Sequence, residues 1–150
     1  MASNYLKALQ LTKQLEKKAQ EATRNRKLAG EEISAAEDMI KEAMKIDANV
    51  AKAEAKLTEA TSAMAEKEFK TALDLAIESK TLAKKAQEDH VSMVIDSTKN
   101  LVKLAKNLET KVPDLDENLV KADNALKEGK YEESLEIAKK GWEEIDKLLN

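Results

Sequence analysis

The chain contains one histidine, His90, set in Gln87-Glu88-Asp89-His90, and no cysteine. A carboxylate-bridged di-iron bundle needs two Glu-x-x-His motifs on facing helices. Only one histidine exists here, and Gln87 stands where the glutamate would be. Without cysteine there is no thiolate zinc site, no cysteine nucleophile and no disulfide. Adjacent carboxylates such as Glu31/Glu32 and Glu143/Glu144 have the residue types of an acid–base pair. They stand among lysines at helical spacing, however. Glu66/Lys70, Glu136/Lys140 and Glu143/Lys147 read as i,i+4 pairs, each worth about 0.2–0.5 kcal/mol on a solvated face. Gly30, Gly129 and Gly141 are isolated, so no phosphate-cradling loop is formed. No nucleophile, base and orienting group come together. The residues imply neither an enzyme nor a bound cofactor or metal.

Residues suited to recognition are better represented. Residues 1–30 carry Lys7, Lys13, Lys17, Lys18, Arg24, Arg26 and Lys27 against Glu16 and Glu21, a net +5 in a chain of net −3. The remaining 120 residues therefore carry −8. Arg24, Arg26 and Lys27 are candidate contacts for an acidic partner or anionic lipid, or part of a solvated face. The basic stretch has no interleaved aromatics and the whole chain is acidic, which disfavours nucleic acid. Trp142, the only tryptophan, either buries against Leu119, Leu126 and Ile145 or anchors a partner, as tryptophan does in binding hot spots. No run of about 18 apolar residues is present to insert in a membrane. Met1–Leu15 lacks the continuous apolar stretch of a secretory signal. A soluble, cytoplasmic chain is the expectation.

The elements that position these residues are helices. Ala, Glu, Lys, Leu and Arg make up 87 of 150 residues, above the roughly 50% that signals long helices. No segment alternates with the period of two that a strand requires. Moreover, the sequence repeats. Sliding it by 62 residues places Met39 on Leu101, Ile40 on Val102, Ala43 on Ala105, Ile46 on Leu108 and Val50 on Val112. The register continues through Leu57/Leu119, Ala60/Ala122, Ala63/Ala125, Met64/Leu126, Phe69/Tyr131, Leu73/Leu135, Leu75/Ile137 and Ala76/Ala138. Part of a third copy begins at Tyr5, where Tyr5, Ala8, Leu9 and Leu11 echo Phe69, Ala72, Leu73 and Leu75 at an offset of 64. The reading is a half-unit over 1–38, a first repeat over 39–100 and a truncated second over 101–150, possibly in one continuous domain.

Breakers set the ends. A long helix is expected from about Asn4 to Ile46, with Gly30 a possible kink or break and Asp47-Ala48-Asn49 its stop. A short helix follows to Ala65, then a turn at Glu66-Lys67-Glu68, equivalent to Glu128-Gly129-Lys130. A second long helix starts at Phe69 and ends near Leu108, before Thr110-Lys111-Val112-Pro113. Asp114 and Glu117 form a capping pair for a short helix to Lys127, and a last helix runs from Tyr131 to Leu149. Phe69 and Tyr131 are expected to plug the hairpin ends. The second long helix carries a wide apolar stripe that includes Ala76, Ala83, Met93, Leu104 and Ala105. The fold class expected is all-α: an elongated antiparallel helical bundle or helical repeat of about five helices, two of them about 40 residues long.

Across the hairpin, Ala122, Gly129, Tyr131, Ser134, Ala138 and Gly141 resemble the small and aromatic positions of the tetratricopeptide repeat. Ala60, Lys67, Phe69, Ala72, Ala76 and Ser79 do the same in the first copy. The period of 62 differs from that family's 34, and Lys56 and Asn118 replace its early tryptophan. The closing proline is also missing. The long helices are similar to spectrin-like or talin-like bundle arrays. An elongated repeat of stiff helices without catalytic groups points to a non-catalytic structural spacer or protein-interaction scaffold with a protein partner. The alternatives are a coiled-coil module that makes homo-oligomers, and a surface-binding module that lays its basic first helix on anionic lipid or nucleic acid.

Overall fold

The structure, a computed structural model, describes residues 2–107 and 115–149. The expected stop at Thr110–Pro113 and the capping residue Asp114 lie outside the described residues, as does Leu108. Among the described residues there are five α-helices and no strand: α1 (Ala2–Lys45), α2 (Ala51–Ala65), α3 (Phe69–Asn107), α4 (Leu115–Lys127) and α5 (Tyr131–Leu149). The two long helices, α1 and α3, have 44 and 39 residues. Strong helix formers carry α1 straight through Gly30, so the break entertained there does not occur. One interior glycine costs only about 1 kcal/mol relative to alanine, which the flanking Ala, Glu and Lys residues absorb.

The helix ends share one device. Lys67 (φ 64°) and Gly129 (φ 74°) adopt the left-handed conformation just past α2 and α4. Behind each, the chain closes with the same pair of backbone bonds. The Lys67 and Glu68 amides donate to the Met64 and Ala63 carbonyls at 3.2 and 2.9 Å. Those of Gly129 and Lys130 donate to Leu126 and Ala125 at 3.0 and 2.9 Å. This six-residue closure satisfies carbonyls that a helix end leaves orphaned. Asp47 (φ 61°) ends α1 in the same way, with the Ala48 amide 3.0 Å from the Ala43 carbonyl.

The chain forms two compact units, the first built from three helical segments and the second from four. The first comprises Met1–Ile40 and Ala51–Leu82. Its core is made almost wholly of alanine: Ala29 of α1, Ala63 of α2 and Ala72 of α3 meet in one cluster with Met64, Leu73 and Leu75 against it. The second comprises Lys41–Val50 and Ala83–Asn150, with a bulkier core that includes Val91, Ile95, Leu115 and Ile145.

Within each hairpin the contacts fall one heptad apart. In α2–α3, Ser79 donates its hydroxyl to the Ala53 carbonyl at 2.7 Å, both groups being buried. The matching positions in α4–α5 are Gly141 and Leu115. There the larger Leu115 takes the room that Gly141 leaves: a Cβ at Gly141 would stand 3.3 Å from Leu115 Cδ2 and 3.4 Å from Thr98 Cγ2. Nearer the turn the exchange is reversed. Ser134 bonds the Ala122 carbonyl at 2.7 Å, where the first hairpin has Ala72 and Ala60. Each hairpin thus has one buried seryl-to-carbonyl bond between its helices, at a different step. A buried hydroxyl needs such an acceptor, because leaving it unbonded costs about 1–3 kcal/mol.

The stripe on α3 differs from the expected one. Met93 and Leu104 are 59% and 58% exposed. The buried positions in the second unit instead run Ala83, Gln87, Val91 and Ile95, in successive steps of four. Each such step drifts about 40° around the helix, and this carries the buried face past Met93.

Two outcomes follow from this packing. Gly30 is exposed and a Cβ there meets nothing within 4 Å, so Gly30→Ala should raise the unfolding free energy by about 0.5–1 kcal/mol. Gly141→Val should lower it by about 1–3 kcal/mol through overpacking. Adding Leu115→Ala should recover part of that loss, whereas Leu115→Ala alone should destabilise. Urea unfolding of the four variants measures each value and the coupling between the pair.

Candidate functional site

The first half of α1 is helical for local reasons. Its residues are strong helix formers, and the Thr12 and Thr23 hydroxyls bond back to the Ala8 and Ala19 carbonyls at 3.0 and 2.9 Å. Yet every position from 4 to 24 is exposed. Burial begins only at Asn25, Leu28 and Ala29. The exposed stretch is not uniformly polar: Tyr5 is 71% exposed, Leu11 59% and Leu15 66%. Tyr5, Ala8, Thr12, Leu15, Ala19 and Ala22 recur at steps of three and four, the spacing of one helix face. Sixty-four residues on, the same steps fall on Phe69, Ala72, Ala76, Ser79, Ala83 and Ala86, of which the middle four are fully buried. The pattern that builds a core in α3 is therefore unpartnered in α1.

Helical geometry puts Arg26 on this stripe, four residues past Ala22, and Lys7, Lys18 and Lys27 at its borders, whereas Lys13, Lys17 and Arg24 fall on the opposite side. Arg24 and Lys27 line an open depression along α1 with Ala19, Gln20, Thr23, Leu28 and Glu31. Lys27 Nζ lies 3.8 Å from Glu31, with both side chains well exposed, so the pair contributes little. Arg26 does not join them, because two residues along a helix is about 200° around it. Trp142 belongs to the other compact unit, on α5. It is 47% exposed, which corrects the reading that buries it among Leu119, Leu126 and Ile145. A flat indole cannot follow the small-residue seam set by Ser134, Ala138 and Gly141.

The structure also shows a feature that escaped the sequence reading. Each compact unit has a notch beside its hairpin turn. In the first, Asn25 of α1 meets Lys67, Glu68, Phe69, Lys70 and Thr71, with Lys18, Glu21 and Ala22 as the further wall. In the second, of about 470 Å³, Gln87 meets Gly129, Lys130, Tyr131, Glu132 and Glu133, and the further wall is the end of α1 at Glu42, Lys45 and Ile46. Asn25 and Gln87 stand 62 residues apart, as do Phe69 and Tyr131. An amide on an otherwise apolar stripe, twice at the repeat distance, was the signal available. Phe69 and Tyr131 are half-buried at these turns, as expected of hairpin plugs. Tyr131 adds a hydrogen bond from its hydroxyl to Glu88 Oε1 at 3.0 Å. Partial burial first, and then that carboxylate, push the phenol up to about 12. His90 is half-buried on α3.

Among the described residues, no three His, Asp or Glu side chains stand close enough to hold a metal ion. No described helix is long and apolar enough to cross a membrane. Exposed ion pairs are numerous, such as Glu136–Lys140 at 2.7 Å, where the shared hydrogen bond lowers the carboxyl and raises the ammonium. Comparison with protein-family models, curated proteins and solved structures gave no match.

The Tyr131 contact has a measurable signature. A phenol raised in the folded state from 10.0 to about 12 adds stability that is complete below pH 10 and is lost as the pH rises toward 12. The stability difference between wild type and Tyr131→Phe should therefore shrink across that window. Absorbance titration should assign the late-ionising phenol to Tyr131 by its loss in the variant.

Proposed function

We propose that the chain is a non-catalytic protein-interaction scaffold built from helical repeats, with the first half of α1 as its docking element. One observation carries the docking reading: positions 4–24 form a continuous helix whose apolar side chains are exposed, within a segment, residues 1–30, that carries seven cations against two carboxylates. A contiguous exposed apolar face rimmed by charge is how interaction surfaces differ from ordinary surface. The repeat reading is supported by burial at matched positions. Ala29/Val91, Ala36/Thr98, Ile40/Val102, Ala53/Leu115, Ala60/Ala122, Ala72/Ser134 and Ala76/Ala138 are buried in both copies. The left-handed turn residues Lys67 and Gly129 also stand 62 residues apart. The mechanism is geometric, with continuous helices presenting a stripe to an acidic, amphipathic protein surface.

Photocrosslinking in the native cell tests this. A photoreactive residue at Leu11 should capture a protein, and the adduct should disappear when Arg24, Arg26 and Lys27 are changed to glutamate. Capture of lipid alone would instead establish the surface-binding alternative.

A further inference from the structure

Each compact unit carries a surface of a different charge. The basic apolar face of α1 lies in the first. In the second, α4, α5 and the turn between them carry ten carboxylates against six lysines. This acidic hairpin exposes Trp142 (47%) and Val120 (58%). Tryptophan is depleted on free surfaces and concentrated where partners bury it. Two copies of the α1 face could not pair with each other without bringing two +5 segments together.

The two notches point the same way. In the second unit the notch beside the turn is walled by a helix end, with Ile46 4% exposed against it and Ala43 fully buried. In the first unit the matching notch has no such helix end, only Lys18, Glu21 and Ala22 of α1 itself. The apolar stripe from Tyr5 to Ala22 runs up to that notch uncovered.

Resting on the docking reading above, we propose that the chain associates head to tail with itself. The basic apolar face of α1 in one copy, centred on Leu11 and Leu15, seats on the acidic α4–α5 hairpin of a second copy beside Trp142. The contact uses a different surface on each copy, so it does not close on itself and further copies can add in turn. Charge complementarity selects the orientation and burial of Leu11, Leu15 and Trp142 supplies the affinity.

Sedimentation velocity of the pure 150-residue chain tests this from about 5 to about 500 µM, the range of weak to moderate affinities. At about 50 mM salt the mass should rise with concentration past that of a dimer. At about 500 mM, where exposed charges are screened within about 5 Å, the association should weaken by roughly tenfold. Trp142 emission should shift to the blue with concentration, since it is the only indole. Leu11→Glu with Leu15→Glu spoils the head, and Trp142→Ala spoils the tail. Each should weaken self-association roughly tenfold or more. The head substitutions fall on side chains exposed from the rest of the protein, so helix content should not change. Mixing the two variants leaves one intact head and one intact tail, and should restore a one-to-one complex that grows no further. A monomer over the whole range overturns the proposal, as does a closed dimer indifferent to Trp142→Ala. So does a monomer that binds phosphatidylserine vesicles through the same cations. If the chain is monomeric while crosslinking from Leu11 captures a different protein, this proposal fails and the docking reading stands.

Discussion

Each hairpin depends on two helices approaching closely enough for a serine hydroxyl to reach a carbonyl on the neighbouring backbone. Ser79 to Ala53 and Ser134 to Ala122, both at 2.7 Å, set that distance. Side chains between the helices must then be small or absent, and this accounts for Ala60 and Ala72 in one hairpin and Gly141 facing Leu115 in the other. Alanine buries little area, and burial contributes about 25 cal/mol per Å². Stability is therefore spread over many small contacts along the helices. Such a seam has no room for an indole, which leaves Trp142 at the surface.

A thin seam also decides where recognition chemistry can sit. A thick core would recruit every large apolar residue, but here Tyr5, Leu11, Leu15, Met93, Leu104 and Trp142 all remain outside. Lys7 and Lys18 border the apolar stripe of α1, whereas Lys99 closes an ion pair with Asp123 at 2.7 Å.

The turns join local chemistry to the larger plan. Lys67 and Gly129 adopt nearly the same left-handed conformation with the same pair of backbone bonds. Only Gly129 does so without the steric cost that a Cβ brings there. Beside each turn an aromatic and an amide meet, Phe69 with Asn25 and Tyr131 with Gln87. The first notch is walled by residues of α1, the second by the end of that helix. Two stretches of similar sequence therefore present different surfaces.

By itself the sequence determined the elements. The five helices begin and end within a few residues of the positions that propensity, Asp47, Lys67 and Gly129 dictate, because helix formation and termination depend on contacts within one turn or two. The spacing of 62 between Ala60 and Ala122, or Phe69 and Tyr131, was legible for the same reason. Only the tertiary structure decided which apolar residues are used. Met93 fits an apolar stripe by heptad counting yet is exposed, because the packing partners select the four-residue steps through Gln87, Val91 and Ile95. Trp142 is left out by a seam whose width is set by serines on the neighbouring turns. The face of α1 from Tyr5 to Ala22 has the pattern of a core, yet every position on it is exposed. Burial depends on what lies opposite, and no periodicity within one helix carries that information.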